Sequence, residues 1–124
     1  MSGPMGKAVT VVGERGVVCD RCELADSAWM RLRGLMGRAR LEPGDGLMLR
    51  PASAIHTHFM RFPIDAVFLD DQLRVLRVRE GLRPWRVAAT PGATAVLELA
   101  AGQAARNGLT PGTQLGVPTL CDGS

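Results

Sequence analysis

Short apolar runs interrupted by frequent turn residues are the feature that most limits how this chain can fold. The 124 residues include 15 glycines and 8 prolines, and both residue types favour tight turns. The runs between them are mostly too closely spaced for the crossovers that parallel strands need. The pattern therefore predicts one strand-rich domain of α+β, mostly β class: a small barrel or half-barrel with one or two short helices.

The same pattern divides the chain into elements. We expect residues 1–15 to form an N-terminal segment that can include a first strand, 16–118 a single globular domain, and 119–124 a flexible tail. A hairpin is predicted around Gly13 to Gly16, and apolar residues three and four apart predict an amphipathic helix over 28–36. Further strands are expected at 47–49, 55–59, 64–69, 73–80, 94–99 and 114–117, with a loop at 82–92 and a helical turn at 102–107.

Charge and composition exclude several classes of protein. The net charge is +3, and Lys7 is the only lysine, but the arginines are dispersed among acids, so we expect no nucleic-acid partner. No secretory signal and no apolar run long enough to span a bilayer is found, which predicts a soluble, cytoplasmic protein without a membrane partner. We further expect a monomer, no cofactor and, from three cysteines in such a chain, reduced thiols.

Both histidines lie in one apolar stretch, at His56 and His58. On an extended segment, residues two apart share a face, so the two imidazoles could bind one metal ion, move a proton or hold an anion. Two ligands alone do not make a metal site. We therefore expect these side chains to hydrogen-bond to neighbours or to line a ligand site, and keep metal binding as an alternative.

Charged and aromatic residues nearby complete the predicted site. Asp65 begins an apolar strand, where a buried carboxylate needs hydrogen-bond donors or an arginine such as Arg61 or Arg50. We expect it mainly to accept backbone amides near the Pro63 bend. Glu98 lies in another apolar run, and its carboxylate likewise needs hydrogen-bond donors or an arginine. Trp85 either lines a groove or, as is usual for a single tryptophan, caps the core.

Cys19 and Cys22 form the other motif that could carry chemistry. Together with the histidines they could supply a zinc set, and with a histidine and Asp65 a nucleophilic set. Residues three apart on a straight strand face opposite sides, however, and no parallel βαβ context for a redox motif is evident. We therefore expect both cysteines to be small buried hydrophobic residues.

Several stretches resemble one family, in the order expected for it. They are Arg-Gly-Leu-Met-Gly-Arg at 33–38, Gly-Leu-Met-Leu at 46–49, the Pro-Ile-Asp block within 60–70, Val-Leu-Glu-Leu with Ala-Gly at 96–102, and Gly-Leu-Thr-Pro-Gly at 108–112. The family is the uncharacterised one known as domain of unknown function 192, and the resemblance covers roughly residues 17 to 117. It implies a compact strand-rich fold without a settled activity. The family's polar Lys-Asn-Thr before Pro-x-Asp has no match here.

The function expected from the residues is binding. The leading hypothesis is a small binding or interaction module that holds an anionic or peptide-like molecule in a groove, and the residues expected to line it are His56, His58, Arg61, Asp65 and Trp85. The alternatives are a metal-dependent hydrolase with His56 and His58 as ligands, and a structural domain that contacts another protein. The sequence does not choose a substrate or a partner.

Overall fold

Strands predominate in the computed structural model, which describes residues 8–25, 40–58 and 60–118. The elements are β1 (Ala8–Gly13), β2 (Gly16–Ala25), β3 (Asp45–Leu49), β4 (Ala54–His56), β5 (Ile64–Leu69), β6 (Val75–Leu82), β7 (Val87–Ala89), β8 (Ala95–Ala100) and a four-residue helix α1 (Gln103–Arg106). The predicted strand-rich class is confirmed. The predicted helix over 28–36 and the tail at 119–124 lie outside the described residues.

Six of the strands form one mixed sheet in the order β1-β2-β3-β8-β5-β6, and β4 pairs with β7 separately. The first hairpin is confirmed as β1 and β2. β2 and β3 are parallel, and residues 26–44 between them are long enough for the connection that such a pair requires. The C-terminal segment bridges to both edges of the sheet: Gly116 pairs with Val12 on β1, and Gln114 pairs with Arg74, just before β6. The sheet is nevertheless not closed into a barrel.

Two adjacent interior strands, β5 and β8, are buried along their whole length. Because successive residues of a strand point to opposite faces, each of them contributes to two separate cores. On the first face, Phe68 and Val96 pack with Leu47 and Ile55; on the second face, Val67 and Leu97 pack with residues that include Cys19. We call these the first core and the second core.

Each core is covered by a different part of the chain. The β4–β7 pair covers the first core, into which it inserts Ile55 and Ala88. Helix α1 and the segment after it cover the second core through Ala104, Leu109 and Leu115. The six-stranded sheet thus lies between two covering layers. A side chain on β5 or β8 packs on the side of one layer or the other, according to the face to which strand alternation directs it.

Two predicted boundaries are wrong. The strand expected at 55–59 is β4, which ends at His56, because the N–H of Met60 donates to Thr57 O at 3.2 Å and turns the chain. The loop expected over 82–92 contains β7, which owes its strand conformation to long-range pairing with β4. Among the described residues, no helix is long and apolar enough to cross a membrane.

Candidate functional site

The two histidine rings lie together although the strand ends between them. His56 is the last residue of β4 and His58 lies in the turn that follows, yet their ring centroids are 4.9 Å apart. The turn also lets the backbone N–H of His58 donate to Nδ1 of His56 at 3.2 Å. The expected proximity of the two imidazoles is confirmed, but a turn produces it.

This hydrogen bond decides which nitrogen of neutral His56 carries the proton. A neutral imidazole has one donor and one acceptor nitrogen. Because Nδ1 accepts from the His58 backbone, the proton resides on Nε2. In this tautomer Nε2 of His56 can donate to an anion or a carbonyl but has no lone pair for a metal ion.

Trp85 stacks on the second histidine. The centroids of His58 and Trp85 are 5.2 Å apart with an interplanar angle of 27°. Trp85 is 56% exposed and has a φ of +65°, a backbone conformation that bulky residues rarely adopt. The default expectation of a core-capping tryptophan is therefore wrong, and the indole is displayed at the surface on a strained backbone.

Thr57, between the histidines, fixes the loop that carries the tryptophan. This fully buried residue donates its hydroxyl to Arg83 O at 2.6 Å and accepts from the N–H of Arg86 at 2.8 Å. Its backbone O accepts from Trp85 N–H at 3.1 Å, and its N–H donates to Arg86 O at 2.8 Å. These bonds hold the positive φ of Trp85 in place. The sequence carries no signal for this role, since the partners of Thr57 lie 26 and 29 residues away.

The environment of this stack is basic. We name His56, His58 and Trp85 the His–Trp surface. The segments that form it, 46–64 and 81–97, contain no Asp or Glu. They do contain exposed arginines, at Arg61 in the loop after the second histidine and at Arg83 and Arg86 on either side of the tryptophan. Every charged side chain of these two segments is thus positive, with Glu80 and Glu98 immediately outside them, and this local excess of positive charge favours anions.

Asp65 lies apart from the His–Trp surface. It is fully buried, and its carboxylate accepts three backbone N–H groups at 2.9 Å, from Gly81 at the end of β6 and from Gly102 and Ala104 at helix α1. The expectation that it accepts backbone amides is confirmed, although the donors come from two distant segments and not from the Pro63 bend. No arginine is needed to satisfy this carboxylate.

Strand alternation places the two buried acids on opposite faces of the sheet. Asp65 alternates with Ala66 on β5 and so shares the second-core face with Val67. Glu98 shares the first-core face with Val96 and is 3% exposed. β4, which ends at the first histidine just before the turn that holds the second, covers the first core, whereas Asp65 faces the second core. The two histidines and Asp65 therefore do not share one cavity, contrary to expectation.

The cysteine pair departs from the straight-strand expectation. Both side chains point into the second core and are fully buried, because β2 is bulged between them. Across the sheet, Cys22 is opposite Gly46, Gly46 opposite Leu99, and Leu99 opposite Asp65. Three strand spacings of about 4.8 Å put Cys22 about 14 Å from Asp65.

The nucleophilic and zinc sets that these residue types could form are consequently not assembled. The cysteines lie in the second core, whereas the histidines lie beside β4 on the first-core side. Across residues 8–25, 40–58 and 60–118, no group of three or more His, Cys, Asp or Glu side chains could hold a metal ion. What the geometry does offer is an exposed aromatic and imidazole surface with arginines around it.

Comparison with solved structures supports the fold and leaves the activity open. A protein of unknown function from Novosphingobium aromaticivorans is 30% identical, with a TM-score of 0.77 over 88% of this chain and 83% of that one. A Sinorhizobium meliloti protein described as "a putative transcription regulator" is 23% identical, with the same TM-score over 93% of this chain and 98% of that one. At this identity the second likeness concerns the fold alone.

Comparison at the sequence level identifies the family. No curated protein of known function matches the chain. The model of the uncharacterised family DUF192, described as "Uncharacterized ACR, COG1430", matches residues 9–117, which is nearly the whole chain and agrees with the resemblance found in the short motifs. The chain belongs to the DUF192 family.

Proposed function

We propose that this protein is a small binding domain whose His–Trp surface takes a small anion with a planar apolar group, such as an aromatic carboxylate. The observation that carries the proposal is Trp85, an exposed indole with a positive φ that stacks on His58. Backbone strain at an exposed aromatic residue costs on the order of 1–3 kcal/mol and persists where surrounding contacts enforce it. Such positions concentrate at ligand sites.

The chemistry of the surface suggests the class of ligand. An indole offers a flat apolar face on which a planar group can stack. The proton that neutral His56 carries on Nε2 supplies a donor, and the exposed guanidinium groups of Arg83 and Arg86 supply more. Since no acid lies in the segments 46–64 and 81–97, the charged side chains that these segments offer to a carboxylate are all positive. The ring and the charge of such a ligand would each have a partner.

Two buried residues act on this site as positioning residues. Thr57 ties the loop of Trp85 to the histidine turn. Asp65 accepts the N–H of Gly81, one residue before the end of β6, from which that loop departs. In this proposal Asp65 supports the site from beneath the sheet, whereas Arg61 contributes positive charge from the histidine loop.

The experiment uses the fact that the only two histidines of the chain, His56 and His58, both lie in the candidate site. Proton NMR of the untagged protein therefore reports on the site through the two histidine Hε1 resonances. We expect sodium benzoate to shift them saturably, with a dissociation constant on the order of 1 mM. Benzamide, which lacks the charge, and acetate, which lacks the ring, should shift them much less.

Matched variants separate the site from its surroundings. Trp85→Ala removes the stacking face, whereas Val17→Ala shortens an apolar side chain on β2 that is equally exposed, at 56%, and lies outside the His–Trp surface. We expect benzoate binding to weaken at least about tenfold in the first variant, which corresponds to about 1.4 kcal/mol, and to stay unchanged in the second. Equal binding in both variants, or no saturable shift in the folded wild type, would refute the proposal.

A further inference from the structure

The bulge in β2 shortens the distance between Cys19 and Cys22. On β1, Val9 is opposite Cys22 and Val11 is opposite Cys19, so three residue steps on β2 match two steps on β1. A straight strand would separate the two cysteine Cα atoms by about 10 Å, but two steps on the partner strand cover only about 7 Å. That value is close to the upper end of the Cα separations, about 4.4–6.8 Å, that disulfides span.

Contacts from the other side of the strand hold the bulge. The carbonyl of Gly44 accepts from the N–H groups of both Asp20 and Arg21, at 3.1 and 3.0 Å, and a carbonyl shared by successive amides is characteristic of a bulge. The Arg21 guanidinium, on the outer face, donates Nε–H to Asp45 Oδ1 at 2.6 Å and Nη2–H to Pro43 O at 3.0 Å. The two residues between the cysteines are therefore both turned outward, and both thiols point inward.

The two thiols interact in the second core. The neighbouring Cys22 thiol lowers the pKa of Cys19 against the opposing effect of burial, and the same interaction together with burial raises the pKa of Cys22, whose Sγ lies 3.8 Å from the Glu23 carbonyl oxygen. The backbone N–H of Val11 also favours the Cys19 thiolate. Gly46 leaves room for Cys19, since a Cβ there would lie 3.0 Å from its Sγ. Cys19 is thus the more readily ionised of the two thiols, and Cys22 lies beside it in the same core.

We propose that Cys19 and Cys22 form a dithiol site that a small hydroperoxide oxidises reversibly to an intramolecular disulfide. Neither thiol is exposed, so a water-sized oxidant suits the site better than a bulky disulfide. The inference is independent of the binding function proposed above, because the His–Trp surface lies on the other side of the sheet.

The chemistry balances with hydrogen peroxide as the oxidant. The Cys19 thiolate attacks one peroxide oxygen, the O–O bond breaks, and hydroxide leaves and takes up the proton that Cys19 released, which gives a sulfenic acid and one water. Cys22 sulfur then attacks Cys19 sulfur, the S–O bond breaks, and the hydroxyl leaves with the Cys22 proton as a second water. The two sulfurs lose two electrons in total, and the peroxide accepts them.

The sequence between the cysteines provides a direct test. Trypsin cleaves after Arg21, so the peptides 16–21 and 22–31 separate unless a disulfide joins them. The third cysteine is removed by using Cys121→Ser as the background. After hydrogen peroxide treatment of the folded protein, alkylation under denaturing conditions and digestion, we expect mass spectrometry to find the two peptides joined and without alkyl groups. Dithiothreitol should separate them.

Controls make the outcome decisive. In Cys22→Ser on the same background, Cys19 has no thiol partner and should carry added oxygen after the same treatment. Circular dichroism before and after treatment checks that the chain stays folded during oxidation. The proposal is overturned if the folded background protein yields separate peptides, each alkylated, or if Cys19 is converted to sulfinic acid while Cys22 stays free.

Discussion

Replacing Asp65 by alanine tests whether one buried carboxylate joins the sheet to the segments around it. The Ala104 amide is bonded in a fully buried position, and those of Gly81 and Gly102 in partly buried ones. Leaving a buried donor unsatisfied costs about 1–3 kcal/mol, and donors that water can reach cost less. We take about 2 kcal/mol for the Ala104 amide and about 1 kcal/mol for each glycine amide. The variant is also relieved of the cost of desolvating the carboxylate, so we expect its free energy of unfolding to fall by about 3 kcal/mol.

The assay is urea unfolding followed by far-ultraviolet circular dichroism, with a matched variant. Asp70→Ala also removes a carboxylate oxygen that accepts two backbone amides, those of Gln72 and Arg74 at 2.8 and 2.9 Å, but in an exposed turn. It should cost about 1 kcal/mol or less, because water replaces the lost acceptor. Hydrogen exchange should accelerate at Ala104 in the Asp65 variant alone. Equal losses of stability in the two variants would refute the reasoning.

The remaining predictions concern buried contacts and the metal alternative. Thr57→Val keeps the shape of a buried side chain but leaves a loop amide without its acceptor, so unfolding free energy should fall by about 2 kcal/mol and the Trp85 side chain should lose its fixed position, seen as loss of histidine ring-current shifts. Gly46→Ala should cost about 1–3 kcal/mol in thermal or urea unfolding because its Cβ would press on a cysteine sulfur at 3.0 Å, whereas Gly116→Ala, with ordinary contact at 3.7 Å, should cost little. Plasma mass spectrometry of untagged protein should find no stoichiometric zinc in wild type or in a variant lacking both histidines; near-stoichiometric zinc confined to the wild type would restore the hydrolase hypothesis.

Local sequence patterns were sufficient for most of the strand positions. Turn residues bracket each apolar run, and the first hairpin, β5 and the helical turn near α1 were found where these patterns predicted them. The motif blocks were also sufficient to recognise the family, since each block is a short run of nearly contiguous residues. The mostly apolar sequences of β5 and β8 agree with their position inside the sheet, where both faces of each strand are covered.

The candidate site was only partly predictable. The spacing of His56 and His58 predicted their proximity on an extended strand, but a turn after β4 produces it. The exposure of Trp85 could not be predicted, because it depends on hydrogen bonds between Thr57 and a loop about thirty residues away. Sequence position also suggested that Asp65 belonged with the histidines, whereas strand alternation sends its side chain through the opposite face of the sheet.

The cysteines show most clearly what only the tertiary structure decided. By itself the sequence determined the strand that carries Cys19 and Cys22, through local propensity and apolar patterning. It did not determine which way they face, because one extra residue in a strand reverses the side-chain alternation beyond it. That extra residue is accommodated by pairing with β1 and by the carbonyl of Gly44, contacts that exist only once distant parts of the chain have come together.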